Sequence, residues 1–162
     1  MTVETAAVEE LYRSHGPLVL RRARQLLGSE ADALEALQDV FAELLRTPPV
    51  LRAPGAMVGW LYQATTHLCL NQLRNRRTGV RLLDRHVASV QRHTEGPRGE
   101  TMAAVRQLLA RLPEQLAVVV VYHHLDGMTH EEISSVLGCS RRQVGYLLER
   151  ALASLQTEER SA

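Results

Sequence analysis

Lysine is absent from this chain of 162 residues, so all 19 basic side chains are arginine. A guanidinium pairs with phosphate groups and guanine edges through two hydrogen bonds, which suits nucleic-acid recognition. A genome rich in G and C would favour arginine codons as well. Because 18 acidic residues leave a net charge of only +1, charge composition neither selects nor excludes a nucleic-acid partner.

Aromatic residues and cysteine are scarce too. Aromatics make up 4% of the chain, so leucine, valine and alanine must form the core. The two cysteines, Cys69 and Cys139, are far apart in sequence. We expect both to be packed, reduced thiols, because disulfides are rare in cytosolic proteins. No stretch approaches the roughly 20 apolar residues that span a bilayer, and the acidic N-terminus is not typical of a secretory signal. We therefore expect a cytoplasmic protein with no membrane partner.

Apolar residues recur at helical spacing along nearly the whole chain. This pattern predicts an all-α fold of two small helical domains joined by a flexible linker, with a helix-turn-helix in the C-terminal domain. We expect the first domain at residues 8–77, the linker at 78–100, which is polar and rich in turn residues, and the second domain at 101–157.

Three helices are predicted in the first domain. The first runs from Val8 to Leu27, the second follows a Ser29 cap and ends before Thr47-Pro-Pro49, and the third runs from Trp60 to Arg77. Residues 50–59 are predicted to be a loop. In the second domain the valine-rich residues 118–121 are interpreted as part of a buried helix, although their propensity favours a strand.

Two helix-start signals lie close together near the C-terminus. Thr129 is followed three residues later by Glu132, and Ser140 by Gln143, so each pair fits a capping box. Gly138 between them is typical of a residue just past a helix end that needs a positive φ. Because the connection is so short, the two helices must cross steeply, which predicts a helix-turn-helix.

The second helix of this motif has one polar face. In helix-turn-helix proteins the first residues of the second helix enter the major groove of DNA, and arginine and glutamine can bind base edges there. A solvated helix start in an ordinary bundle is the alternative interpretation. The candidate DNA-binding residues are Arg141, Arg142, Gln143, Tyr146 and Arg150.

Two helices of the first domain carry further polar stripes. The Trp60 helix has a stripe at Gln63, His67, Asn71 and Arg74, which could bind nucleic acid, although a basic helix end also suits the helix dipole alone. The helix after Ser29 carries an acidic stripe, which repels DNA and suits a protein partner with a basic surface. This stripe consists of Asp32, Glu35 and Asp39, with Gln38 beside it.

Metal and enzyme interpretations are not favoured. His123, His124, His130 and Cys139 lack the spacing of zinc-binding motifs. The sequence has no glycine-rich phosphate loop and no distinguishable Ser/His/Asp set. We expect no catalytic residue, no metal and no cofactor.

The order of these motifs resembles the bacterial sigma factors of the extracytoplasmic-function (ECF) group. The resemblance covers roughly Val8–Arg77 and Thr101–Leu155. It is carried by an acidic-faced helix ending in Gln-Asp-Val-Phe, a Trp-Leu-Tyr helix ending in arginines, and Leu-Pro-Glu before the helix-turn-helix. It implies a factor that binds core RNA polymerase and directs it to promoter DNA. Such factors are often held inactive by an anti-sigma factor, which is therefore a candidate partner.

The resemblance also implies roles for the candidate residues. In such factors the acidic helix binds the clamp helices of the largest polymerase subunit, which here falls on Asp32, Glu35, Gln38 and Asp39. The helix-turn-helix residues Arg141 to Gln143, with Tyr146 and Arg150, would read the −35 element. The −10 element would be captured and melted by residues 52–59 and the third helix, at Arg52, Gln63, His67, Asn71 and Arg74.

The chain departs from the family pattern at several of these positions. Thr65-Thr66-His67 replaces Ala-Arg-Asn, Asn71 replaces a common Asp, and an acidic pair is shifted to Leu34-Glu35. In the recognition helix, Gly145 and Leu147 stand where Lys and Arg are frequent. Two alternatives follow: a sigma-like adaptor that binds polymerase or a regulator without initiating transcription, and a simple helix-turn-helix repressor.

Overall fold

The computed structural model describes residues 5–53, 55–80 and 97–161. These residues form seven α-helices, one π-helical segment and no strand, which confirms the all-α fold. No helix in these parts of the chain is long and apolar enough to cross a membrane. The elements are α1 Thr5–Leu27, α2 Glu30–Arg46, α3 Ala56–Val80, α4 Pro97–Arg111, α5 Glu114–Val120, the π-helical segment Val121–Leu125, α6 His130–Leu137 and α7 Arg141–Ser161.

The chain divides into two compact units, Met1–Arg106 and Gln107–Ala162, and the division falls within α4. Helix α4 begins at Pro97 and α3 continues to Val80, so both ends of the predicted linker at 78–100 are helical. Proline suits the first position of a helix because its missing amide is not needed there. The rest of that linker, residues 81–96, lies outside the described residues.

In the first unit, α1, α2 and α3 pack around one apolar core. Ser29 caps α2 as predicted, since its hydroxyl accepts a hydrogen bond from the Asp32 amide at 3.4 Å. Helix α3 begins at Ala56 instead of Trp60, because Gly55 adopts a φ of 82° and the Ala56 amide donates to Ala53 O, closing a turn before the helix. The buried core residues are Val8, Val19, Leu37, Val40, Phe41, Leu44 and Leu61.

In the second unit the helix-turn-helix packs on α5 and the π-helical segment. The valine-rich residues 118–121 are helical and mostly buried, as predicted. The sequence did not predict the π-helical segment, in which the Asp126 amide donates to the carbonyl of Val121, five residues earlier, at 3.0 Å. Ile133 of α6 and Val144 of α7 are fully buried and form part of the core of the motif.

Candidate interaction surfaces

Helix α2 presents an acidic outer face. Its inner face is buried, whereas Glu35, Gln38 and Asp39 are exposed. Asp32 differs from these three because its half-buried carboxylate forms an ion pair with the guanidinium of Arg76 in α3. Burial lowers the pKa of Arg76, but the side chain stays cationic. Three of the four predicted residues, Glu35, Gln38 and Asp39, therefore lie on the exposed face of α2. The fourth, Asp32, is paired with Arg76 of the neighbouring helix α3.

The same face includes two exposed leucines. Leu34 is 43% exposed and Leu45 is 51% exposed. They lie four residues before and seven residues after Gln38, so they share its side of the helix. Their exposure adds apolar area to the acidic stripe.

The predicted stripe on α3 lies within one continuous helix. Asn71 is exposed, while Gln63, His67 and Arg74 are half-buried. Arg52 is exposed in the segment between α2 and α3. These five side chains therefore reach solvent to different degrees, and four of them follow the three- and four-residue spacing of a helix face.

Two threonines beside this stripe are fully buried. The Thr65 hydroxyl donates to Leu61 O at 2.6 Å, and the Thr66 hydroxyl donates to Tyr62 O at 2.8 Å. These bonds to carbonyls of the same helix use the proton of each hydroxyl, and Thr66 Oγ1 also accepts from the guanidinium of Arg22 in α1. The two threonines, which replace the Ala-Arg of the family pattern, are therefore compatible with the helix.

A buried arginine of α1 contacts α3 behind the stripe. Arg22 is 4% exposed, and its Nε and Nη2 atoms lie 3.3 and 3.2 Å from Thr66 Oγ1. Its guanidinium carbon lies 4.4 Å from the centre of the Tyr62 ring, at cation–π distance. Sequence reasoning missed this residue because Arg22 is adjacent in the chain to other arginines, although its helical neighbours Val19 and Leu26 are buried core residues.

The predicted capping box of the helix-turn-helix is complete at Thr129, and at Ser140 the hydroxyl half of the predicted box is formed. The Thr129 hydroxyl accepts from the Glu132 amide at 3.1 Å, and the Glu132 carboxylate accepts from the Thr129 amide at 3.2 Å. Gly138 ends α6 with a φ of 69°. The Ser140 hydroxyl then accepts from the Gln143 amide at 3.0 Å at the start of α7. These local bonds set the short turn between the two helices.

This turn leaves the predicted −35 residues at the surface. Arg141, Arg142, Gln143 and Arg150 are exposed, and Tyr146 is 51% exposed. The Arg150 guanidinium carbon lies 5.8 Å from the Tyr146 ring centre. The opposite face of α7 is buried at Val144, Leu147 and Ala151. Leu147 is therefore a core residue of this motif, so its departure from the family pattern removes no surface contact here.

Two histidines of the π-helical segment, His123 and His124, form ring contacts near His130, the first residue of α6. The rings of His123 and His124 have centres 4.8 Å apart, and those of His123 and His130 are 5.1 Å apart, both edge to face. Across the described parts of the chain, no group of three or more His, Cys, Asp or Glu side chains is placed to hold a metal ion.

Comparison with protein families matches both units. A model of Sigma-70 region 2 matches residues 11–78, and a model of Sigma-70 region 4 matches residues 102–155. The chain is 30% identical over 156 residues to the ECF RNA polymerase sigma factor SigE of Mycolicibacterium smegmatis. The chain belongs to the sigma-70 family, in its ECF group.

A further relative is also an ECF sigma factor, and a solved structure has a similar fold. It is 29% identical over 149 residues to the ECF RNA polymerase sigma factor SigM of Mycobacterium tuberculosis. The match to SigE covers 91% of the chain but only 60% of SigE. The match to SigM covers 92% of the chain and 75% of SigM. The fold is similar to that of a solved structure of CnrH in complex with the cytosolic domain of CnrY, with a TM-score of 0.53 and 22% identity, covering 98% and 91% of the two chains.

Proposed function

We propose that this protein is an alternative sigma factor that binds core RNA polymerase in the cytoplasm and directs promoter-specific transcription initiation. The observation that carries this proposal is the presence of both sigma-70 regions on one chain, region 2 at 11–78 and region 4 at 102–155. A repressor needs only a DNA-binding motif, whereas an initiation factor needs a polymerase-binding surface as well.

In this proposal, residues 8–77 form the region that binds polymerase and the −10 element, and residues 101–157 form the region that binds the −35 element, with 78–100 between them. The polymerase-binding face lies on α2 at Glu35, Gln38 and Asp39, which are exposed. Leu34 and Leu45 add apolar contact area to this face. Asp32 acts indirectly, because its ion pair with Arg76 holds the start of α2 against α3.

DNA binding is assigned to two surfaces. Promoter melting needs no catalytic group, because stacking and pocket contacts with unpaired bases offset the few kcal/mol lost on unpairing. The −10 surface consists of Arg52, Gln63, His67, Asn71 and Arg74, and the −35 surface consists of Arg141, Arg142, Gln143, Tyr146 and Arg150. An anti-sigma protein that covers either surface is a further candidate partner.

The test is run-off transcription with purified core polymerase and pooled genomic promoter fragments, combined with co-purification of core enzyme. The wild-type protein should give discrete start sites that depend on its addition. Asp39→Arg should abolish core binding without unfolding the protein, because it reverses a charge on an exposed face. The matched control is Glu9→Arg, which makes the same change on the exposed side of α1 and should retain core binding.

The outcomes separate the alternatives. Core binding that Asp39→Arg leaves unchanged would refute the assignment of the α2 face. Core binding without any start site would favour the sigma-like adaptor. DNA binding in the absence of any core binding would favour the simple repressor.

A further inference from the structure

Gly145 stands in the interior of the recognition helix α7, where glycine is an unfavourable residue. The backbone does not require glycine there, because the positive φ values among the described residues belong to other glycines. Packing does not require it either. A Cβ atom built on Gly145 would lie 3.8 Å from Cε1 and 3.9 Å from Nδ1 of His130, which are ordinary van der Waals distances. An alanine would therefore fit this position and favour the helix.

Gly145 lies on the same side of α7 as two candidate DNA-binding arginines. It follows Arg141 by four residues and Arg142 by three, so it is one turn further along the same side of the helix. Both arginines are exposed, whereas the apolar face of α7 is buried at Val144 and Leu147. The glycine therefore leaves a gap in the surface that begins with the arginines.

This gap has the size of one methyl group and a supported wall. Alanine differs from glycine by one methyl group, so the space left free is about that large. His130 lines one side, and its ring meets the ring of His123 edge to face, with centres 5.1 Å apart. His123 is held in turn, because its Nδ1 donates to the carbonyl oxygen of Met128 at 2.9 Å. The space with Gly145 as its floor and His130 as one wall is called the Gly145 notch.

The chemistry of the notch suits an apolar group. The free amides of a helix start are confined to its first residues, and the Val144 amide already donates to Ser140 O at 3.1 Å. The Gly145 amide follows it in the helix, so it is not available to bind a phosphate or a base acceptor. A small apolar group that projects from a ligand would instead gain contacts with the backbone and with His130.

We propose that Gly145 is a specificity-determining residue whose notch admits the 5-methyl group of one thymine in the −35 element. The inference rests on the proposed function, in which α7 enters the major groove. Thymine is the base whose edge carries a methyl group into that groove. Glycine lets a ligand approach the helix backbone closely, so the methyl group reaches the floor of the notch. Gly145 thus selects an A·T pair through an apolar contact, without a hydrogen bond.

The test combines one substitution in the protein with one in the DNA. Deoxyuridine pairs with adenine as thymine does, but it lacks the 5-methyl group. Fragments of a promoter identified by run-off transcription carry deoxyuridine in place of each −35 thymine in turn, on either strand. Fluorescence anisotropy measures the affinity of the reconstituted holoenzyme for each fragment.

For the wild-type protein, deoxyuridine at one position should weaken binding about fourfold, the effect of losing one buried methyl group. Gly145→Ala fills the notch with a methyl group of its own, so it should bind the thymine fragment more weakly than wild type does. The deoxyuridine fragment leaves room for that methyl group. The preference for thymine at this position should therefore disappear in Gly145→Ala, while the two proteins respond alike at every other thymine.

Two controls separate this effect from a folding defect. Gly145→Ala should raise the urea concentration at the midpoint of unfolding, because alanine favours a helix interior. Gly16→Ala is the matched change in α1, where the added Cβ would lie 4.0 Å from side-chain atoms of Tyr12 and Leu37. It should keep the wild-type preference for thymine.

The outcomes distinguish the inference from the function on which it rests. The inference is overturned if the −35 element contains no A·T pair, or if Gly145→Ala removes no preference for thymine. The proposed function stands in that case if Arg142→Ala weakens promoter binding. If the wild-type protein forms no promoter-binding holoenzyme, the proposed function fails and the inference fails with it.

Discussion

Gly138 adopts a left-handed backbone conformation between α6 and α7, with a φ of 69° and a ψ of 31°. Gly59, in contrast, lies inside α3, where a Cβ would meet nothing within 4 Å. Gly138→Ala should destabilise the protein by about 1–2 kcal/mol, because a side chain is strained at positive φ. Gly59→Ala should stabilise it by about 0.5–1 kcal/mol, because alanine favours a helix interior. Urea unfolding measures both, and equal effects of the two substitutions would contradict the assigned conformations.

The two cysteines should differ in reactivity. Cys69 is fully buried, and burial raises the pKa of its thiol to about 12, whereas Cys139 is half-exposed. Because the thiolate is the nucleophile, native protein at pH 8 should incorporate one iodoacetamide group, at Cys139, and unfolded protein two. Mass spectrometry of the labelled protein checks this. Labelling of Cys69 in the native state would show that this part of the core opens.

The same shift makes stability depend on pH. The folded state keeps the Cys69 proton to a higher pH than the unfolded chain, whose thiol has the ordinary pKa of 9.0. The folded state therefore binds more protons between these values, and this contribution to stability is lost as pH rises from about 9 towards 12.

Among the elements, the contact between α1 and α3 depends on Arg22. Its guanidinium hydrogen-bonds Thr66 and stacks on Tyr62, and its aliphatic stem is buried between the helices. Arg22→Ala should lower the free energy of unfolding by about 2–3 kcal/mol, since it removes both packing and charge-assisted hydrogen bonds. Arg21→Ala, at the adjacent exposed position, should change it by less than about 0.5 kcal/mol. Equal effects in chemical denaturation would contradict the proposed anchoring role.

At the level of the whole protein, the net charge of +1 limits non-specific DNA binding. Without core polymerase, we expect a Kd for random duplex DNA near the weak end of the usual range, about 10⁻⁴ M at physiological salt, because few phosphates can be neutralised. Fluorescence anisotropy at 150 mM salt measures this value. Micromolar or tighter binding by the isolated protein would favour the repressor alternative.

Features that depend on short stretches of sequence were predictable. The caps at Ser29 and Thr129 and the helix end at Gly138 follow from hydrogen bonds between residues three or four apart, which a sequence displays directly. The all-α fold followed from the period of the apolar residues for the same reason. The exposed groups on α2 and α7 could be named because the acidic stripe and the arginines stand opposite the apolar face of each helix.

Features that depend on contacts between helices were not predictable. Periodicity defines the apolar side of a helix but not how far the neighbouring helices cover it, so it does not show that Leu34 and Leu45 are exposed. The ion pair of Asp32 with Arg76, the burial of Arg22 against Tyr62 and the packing of His130 on Gly145 join residues from different elements. The relative rotation and spacing of packed helices set such contacts, and these are fixed when the cores assemble, not by any one segment.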